Sequence, residues 1–376
     1  MPLRMPRFPP DTASELGSRA VASATSQKRL SKMPFQLSLF HLSAVAVLLL
    51  SAAVLNHGKL TSQPDVCASH DQPNPLADLF PNNATGVLNA TLLIIPIALE
   101  TARRLIPPQY GILERAYRDL LPDFPAGMYP VLMQAAHDHD VQFKAYGITI
   151  DDFSVCLPCR EMVLRYTQTN PQQRVGFEFP FLDLLNDGHS SFRWAPSQLI
   201  TATHEIALQG SKDYGTVVSP AAWDPPCDAY RALPNGNTYL RGESTTPSSS
   251  ESVELEMTRR LGGRISPYPM ELFKNITNQP TFANASSCDN MIRWFNTTMS
   301  ADAAPVLGSV RTKNSFPYGG EEKKWEGVWG VQVATPFIEN NYLDCESMRG
   351  YGGSGGIGDS FVPATGRGEG HQGTEL

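Results

Sequence analysis

The stretch from Gly176 to Tyr230, GFEFPFLDLLNDGHSSFRWAPSQLITATHEIALQGSKDYGTVVSPAAWDPPCDAY, constrains the fold more than any other part of the chain. Apolar and aromatic residues recur there every one to two positions between Gly, Pro and Asn/Asp punctuation, which is the pattern of successive buried β-strands with tight connections. A chain organised around such a run is a sheet protein. Upstream, VLNATLLIIPI predicts a strand, and ALETARRLIPPQYGI a short helix closed by Pro107-Pro108 that packs Ala98, Ala102, Leu105 and Ile106 on the sheet. Arg103 and Arg104 then fall on a solvated edge. YPVLMQAAHDHDVQFKAYGI predicts two strands, ALPNGNTYLRGE a hairpin turn at Asn235-Gly236, and GVWGVQVATPFIENNYLDCESM two further strands. MELF and CDNMIRWF read as helical turns.

The ends have a different character. Residues 1–32 read as a disordered segment or an upstream extension before Met33. Residues 33–55 carry the apolar run FQLSLFHLSAVAVLLLSAAVL behind Lys28, Arg29 and Lys32, the order of a secretory signal, or of a membrane anchor if it stays uncleaved. A polar, Pro-rich linker occupies 56–85, a single domain 86–350, and a disordered Gly-rich tail 351–376. Sequons at Asn83, Asn89, Asn275, Asn284 and Asn296 agree with export and predict a glycoprotein. The net charge of −7 and pI near 5.6 lack the basic footprint of a nucleic-acid binder. The expected partner is a small-molecule ligand, with membrane contact only through the N-terminal apolar segment.

Val155–Gln173, VCLPCREMVLRYTQTNPQQ, lacks both strand alternation and turn chemistry, and its flanks join as one continuous passage. It reads as a translated retained intron, with an ordinary surface loop as the alternative. Setting it aside removes Cys156 and Cys159 from the six cysteines and leaves Cys67, Cys227, Cys288 and Cys345. In an oxidising compartment these four are expected to form two disulfides, with the pairing open.

No Walker motif occurs, and the G-x-S-x-G and G-x-G-x-x-G strings of the Gly-rich tail lack the strand-to-helix sequence context of a nucleophile elbow or Rossmann fingerprint, so the chemistry must rest on scattered residues. His137 and His139 in HDHD fall on one face of a strand, where with His189 or His204 as third ligand a cupin-like metal enzyme is the competing reading; no carboxylate follows in Val141-Gln142-Phe143-Lys144, so the pair reads as a polar strand end and no metal is expected. His204 and Glu205, weak catalytic candidates with Lys212 and Arg193, are adjacent and so point to opposite faces of a strand, which argues against their acting together on one substrate atom. Arg193 beside Trp194 suits reception of a carboxylate, and equally a cross-strand salt bridge.

IALQGSKDYGTVVSP, Ile206–Pro220, resembles the signature of the acetoacetate decarboxylase-like superfamily, and FEFPFLDLL and DPPCDAY resemble stretches of its fungal secreted members. The resemblance covers roughly residues 88–345. It implies a mainly β (α+β) fold, an antiparallel β-barrel or cone with a few peripheral helices, whose interior is apolar and holds a small organic ligand. With Gly210 and Gly215 on the motif glycines, Ser211-Lys212 replace the family's Arg-Glu and Val217-Val218 its Pro-Lys. The Schiff-base lysine is therefore missing, no cofactor is implied, and the expected function is a ligand-binding relative without lysine-dependent decarboxylation. The alternative is a carbon–carbon lyase that uses Lys212.

Overall fold

The computed structural model describes residues 74–143, 148–150, 172–260, 266–295, 303–314 and 321–350. All lie in the second of two compact units, Pro64–Leu376. The apolar segment 33–55, most of the linker, Cys67, Cys156, Cys159, Asn296 and the tail after 350 lie outside the described residues. No helix among those described is long and apolar enough to cross a membrane.

Fourteen strands join in one mixed sheet. They are β1 (Ala84–Ala98), β2 (Gly111–Ile112), β3 (Met128–Phe143), β4 (Ile148–Ile150), β5 (Gln172–Asp183), β6 (Phe192–Thr201), β7 (Val217–Asp224), β8 (Arg231–Ala232), β9 (Thr238–Ser244), β10 (Ser252–Arg259), β11 (Thr281–Phe282), β12 (Cys288–Arg293), β13 (Ala304–Lys313) and β14 (Glu322–Leu343). Among the described residues four α-helices accompany them: α1 (Leu99–Leu105), α2 (Glu114–Leu120), α3 (Glu205–Asp213) and α4 (Met270–Asn278). The fold is thus mainly β with few helices, as expected.

Hydrogen-bonded pairing closes the sheet into two rings that share strands. One runs β5-β6-β7-β9-β10-β13-β14-β1-β3 and returns to β5; the other runs β6-β11-β12-β14-β1-β3-β5 and returns to β6. Since successive side chains of a strand alternate between faces, the shared strands present one set of residues to each ring. Register fixes the sets. Val333, Ala90, Ala136 and Arg174 stand side by side across β14, β1, β3 and β5, and next to them Val331, Leu92, Gln134 and Gly176. On the opposite face Met133 pairs with Phe177 and His137 with Gln173. Phe177 packs on Trp325, and Phe179 on Trp194 at 5.3 Å between ring centroids.

Several expected elements take a different form. YPVLMQAAHDHDVQF is one strand, bent by a bulge where Asp140 adopts φ +51°, and β4 follows separately. The C-terminal segment is one 22-residue strand ending in a 3-10 turn at Cys345–Met348. Within the organising stretch Glu205–Asp213 is helical, because β6 and β7 are parallel and a parallel connection requires a crossover. CDNMIR is a strand, since its Asp289, Met291 and Arg293 alternate with Asn290 and Ile292 on either side of β12. Gln172 and Gln173, read as the end of an insert, belong to β5; Gln173 is buried and donates to the Pro225 and Asp228 carbonyls. The rest of Val155–Gln173 lies outside the described residues. Of the four residues expected to pack from α1, Ala102 and Ile106 are buried and Leu105 half-buried, but Ala98 is the last residue of β1 and exposed; Arg103 and Arg104 lie exposed, as expected, and pair with Glu114 and Glu100.

Cys288 and Cys345 form a disulfide with Cα atoms 5.1 Å apart across 57 residues. Cys227 is disulfide-bonded as well. The Cys288–Cys345 bond ties the start of β12 to the turn after β14, next to the paired Leu343. Replacing both with Ser should lower unfolding stability by about 2–4 kcal/mol, from restored freedom of a loop of that length. Urea unfolding of the double variant measures it.

Candidate functional site

The second ring encloses a cavity of about 700 Å³, within the usual range of small-molecule sites. Its lining is strongly charged, which corrects the expectation of an apolar interior. Arg174, Arg193 and Arg293 line it together with Asp138, Glu178, Asp289 and Glu339. Asp138 and Arg174 project from β3 and β5 on the same face, and the Asp138 carboxylate accepts from Arg174 Nε at 2.6 Å. Beyond Asp138 the bulge at Asp140 shifts the alternation by one, so that Val141 and Phe143 also enter the cavity.

Arg193 and Arg293 meet at the end of α4. Arg193 pairs with Glu178 at 2.8 Å and donates to the Ile276 carbonyl at 2.9 Å and to Thr281 Oγ1 at 2.7 Å. Arg293 donates through Nη1 to the Thr277 carbonyl and through Nη2 to Gln134 Oε1 at 2.7 Å. The last turn of a helix leaves carbonyls without partners and carries partial negative charge, so guanidinium groups are suited to that position. Asn278 completes the junction: its Oδ1 accepts from the Arg293 backbone N–H and its Nδ2 donates to the Arg293 carbonyl.

Arg293 differs from the other two arginines. It is 1 % exposed, no described carboxylate pairs with it, and its Nε has no hydrogen-bond partner among the described residues. Burial, with the neighbouring charges of Arg193 and Arg174, pulls its pKa down to about 9, which still leaves it a cation at neutral pH. Asp289 sits two residues before Met291, the register partner of Glu339. Burial and then the nearby Glu339 hold Asp289 well above the ordinary carboxylate range, and burial raises Glu339 too. Asp289 Oδ1 also has no partner among the described residues.

The residues singled out from sequence divide as follows. His204 lines the cavity, as the N-cap of α3, where its Nδ1 accepts from the Ala207 N–H at 3.1 Å; burial lowers its pKa and favours the neutral ring. Glu205 is the first residue of that helix and is exposed, so the pair is separated by a helix start and not by the two faces of a strand. Arg193 is in the cavity with its guanidinium committed to Glu178 and α4, the salt-bridge alternative. Lys212 is exposed in the last turn of α3, and Val217 and Val218 lie in β7. No described residue lining the cavity is a lysine.

His137 and His139 share a face as expected and their rings stack 5.5 Å apart, but alternation directs them away from the Asp138 side that lines the cavity. His139 Nδ1 pairs with Asp140 at 2.7 Å, while His189 lies in an exposed turn held by Asp187. The proposed metal ligands are therefore not brought together. No group of three or more His, Cys, Asp or Glu suited to a metal exists among the described residues.

Among the sequons, Asn284 is exposed and Asn83 half-buried, whereas Asn89 is in the middle of β1, opposite His137. Asn275 is buried in α4, where its Oδ1 accepts from Gln279 Nε2 at 3.0 Å, and its partner Thr277 is fully buried. That sequon serves the fold and has no room for a glycan, a correction to the expected set.

Asp289 gives a pH-dependent test. Its raised pKa means the folded protein keeps a proton that the unfolded chain releases, so stability falls as pH rises above the ordinary Asp range. Asp289→Asn removes that cost. The variant should match the wild type near pH 4 and gain relative stability from pH 5 to 8, as read by urea unfolding at each pH.

Comparison with protein-family profiles and with curated proteins finds no match. Among solved structures the chain is similar to the enduracididine biosynthesis enzyme MppR with HEPES buffer bound, at 9% identity and a TM-score of 0.36, over 69% of this chain and 86% of that one. A second structure of MppR, complexed with the condensation product of pyruvate and imidazole 4-carboxaldehyde, aligns at 8% identity and a TM-score of 0.34, over 68% and 87% of the two chains. An acetoacetate decarboxylase-like enzyme from Sphingomonas wittichii RW1 aligns at 12% identity and a TM-score of 0.35, over 73% of this chain and 98% of that one.

Proposed function

We propose that the protein binds a small organic anion through its carboxylate, as a divergent acetoacetate decarboxylase-like protein that does not use a Schiff-base lysine. The observation that carries this reading is Arg293, a buried cation lining the cavity with an unpartnered Nε and no described carboxylate on it. Leaving a buried charge uncompensated is costly, and an incoming carboxylate removes that cost. One of its oxygens accepts from Arg293 Nε. A charge-assisted bond of this kind contributes about 1.5–3 kcal/mol.

The absence of a lysine among the described lining residues supports the non-imine side of the reading. An imine route needs an amine that is neutral near pH 7, through desolvation or a neighbouring cation. Lys212, on the exposed end of α3, has no such burial. Export to an oxidising compartment is part of the same proposal, supported by the Cys288–Cys345 bond and by the signal-like order of residues 33–55.

Acetoacetate is the first probe. Titration should release or absorb heat saturably and raise the Tm, since ligand at a hundred times its Kd adds about 2.7 kcal/mol. Arg293→Gln should weaken binding at least tenfold, and Arg293→Lys, which keeps the charge, should weaken it less. Borohydride reduction in the presence of acetoacetate should add no mass. A mass gain that disappears in Lys212→Ala would instead identify Lys212 as an imine-forming residue.

A further inference from the structure

The cavity has two chemically different ends. Of its charged residues Asp138, Glu178, Arg193 and Arg293 are buried and Arg174, Asp289 and Glu339 half-buried, whereas the mouth carries large apolar side chains in water. Leu79, Ile206, Val217 and Tyr342 are the exposed large hydrophobic residues among those described, and Ile206 and Tyr342 both line the cavity, at 54% and 58% exposure. Single exposed apolar residues are ordinary on a protein surface; their placement on one opening is what needs a cause.

Tyr342 is held there against local backbone preference. Its φ is +55°, a conformation that a bulky residue rarely adopts and that persists only where surrounding contacts enforce it. The contacts are present. The Tyr342 backbone N–H donates to the Tyr214 hydroxyl at 2.7 Å, that hydroxyl donates to Asn341 Oδ1 at 3.1 Å, and the Tyr342 hydroxyl donates to Asp213 Oδ2 at 3.3 Å. The result is a face-to-face pair, Tyr214 and Tyr342, with ring centroids 5.0 Å apart and planes within 4°. One aromatic face supports the other at the cavity edge. Along α3, Ile206, Gly210 and Tyr214 recur at helical spacing on the lining side, and a Cβ added at Gly210 would meet nothing within 4 Å.

Size points the same way. A four-heavy-atom acid occupies roughly the volume of three waters, on the order of 90 Å³. The cavity is about 700 Å³. A ligand that only satisfied Arg293 would leave most of the space, and all of the apolar mouth, unused.

We propose that the ligand is an amphipathic carboxylate whose anionic head lies against Arg293 and whose apolar, preferably aromatic, body lies along Ile206 and the Tyr214–Tyr342 stack. This rests on the carboxylate-binding reading above and adds the specificity: the head sets orientation, and the mouth selects for apolar bulk. Ile206 and Tyr342 are then specificity-determining residues that leave the head-group site untouched.

Calorimetric titration of the full-length protein with acetate, 4-phenylbutyrate and the uncharged 4-phenylbutyramide tests it. The expected order is 4-phenylbutyrate at least tenfold tighter than acetate, with the amide at least tenfold weaker than its acid. Ile206→Ser and Tyr342→Asn are suitable variants, because Ile206 is exposed and Asn tolerates the left-handed backbone. Each should weaken 4-phenylbutyrate three- to tenfold and leave acetate within twofold. Equal binding of acetate and 4-phenylbutyrate, or variants that bind 4-phenylbutyrate like the wild type, overturns the amphipathic ligand while the carboxylate site stands. An amide that binds as tightly as the acid, or no binding by either acid, overturns the carboxylate site and this proposal with it.

Discussion

The C-terminus of helix Met270–Asn278 is the junction on which the cavity depends. Asn275, Thr277, Asn278 and Gln279 are all nearly inaccessible to solvent, so the helix ends inside the protein and its last carbonyls must find partners there. Two guanidiniums supply them, Arg193 to Ile276 and Arg293 to Thr277. Each arginine comes from a different strand, and each strand is thereby fixed to the same helix end. Gln279 extends the junction by accepting from the Phe181 N–H, at the point where β5 breaks its regular register. Removing Arg293 would take the donor from the buried Thr277 carbonyl, whereas the Ile276 carbonyl would keep the Gln279 N–H after loss of Arg193, which would instead leave an isolated Glu178 carboxylate. The cost of one broken buried pair is about 3–5 kcal/mol.

Much of the fold was legible because strand alternation is a local signal. The Phe177, Phe179 and Phe181 run and the VLNATLLIIPI run carry their burial pattern in the sequence itself. What local pattern does not carry is which strands are neighbours. The helix at Glu205–Asp213 follows from β6 and β7 being parallel, a long-range fact, and so the same residues were read as strand. CDNMIRWF was misread for a related reason: its apolar residues fit a helical turn, and only pairing with β14 selects the alternation that puts Asp289 and Arg293 on one side. The bulge at Asp140 has no signal beyond the tolerance of Asp for the left-handed region, yet it decides which residues after Asp138 face the cavity.

The site was legible in fewer of its parts. Arg193 and His204 were singled out and both reach the cavity, but as a salt-bridged strut and a helix cap. Arg293, the group with unmet bonding capacity, stood in a segment assigned to the wrong element and drew no attention. Gln134 sits in a run that reads as plain buried strand, where one polar residue in an apolar row is the only hint, and Glu339 is followed by Asn340 and Asn341 at a strand end that reads as solvated. HDHD shows the limit of the local pattern. Two histidines on one strand face is the geometry of a metal pair, but alternation alone cannot say which side of the sheet is the cavity, and here Asp138 holds that side.

The same alternation explains how a protein with so many buried charges can fold. Strands β14, β1, β3 and β5 serve two interiors at once, and part of the opposite face is apolar: Val175, Phe177 and Met133 stand back to back with Arg174, Glu178 and Gln134, while His137, Gln173, Thr91 and Gln332 interrupt it. Desolvating the charges is offset across the thickness of a single sheet by burying large side chains, at about 25 cal/mol per Å². The balance is local, so it constrains which charges can be left unmet. Arg174 and Arg193 have carboxylate partners on the same face and contribute to the folded state; Arg293 is held by neutral carbonyl groups from α4 and β3, which orient it without neutralising it. A cation fixed in direction, but not in charge, by rigid elements is preorganised for an anion. Part of the cost of keeping it in the free protein is recovered when an anion binds, so the stability of the fold and the affinity of the site are coupled through this one side chain.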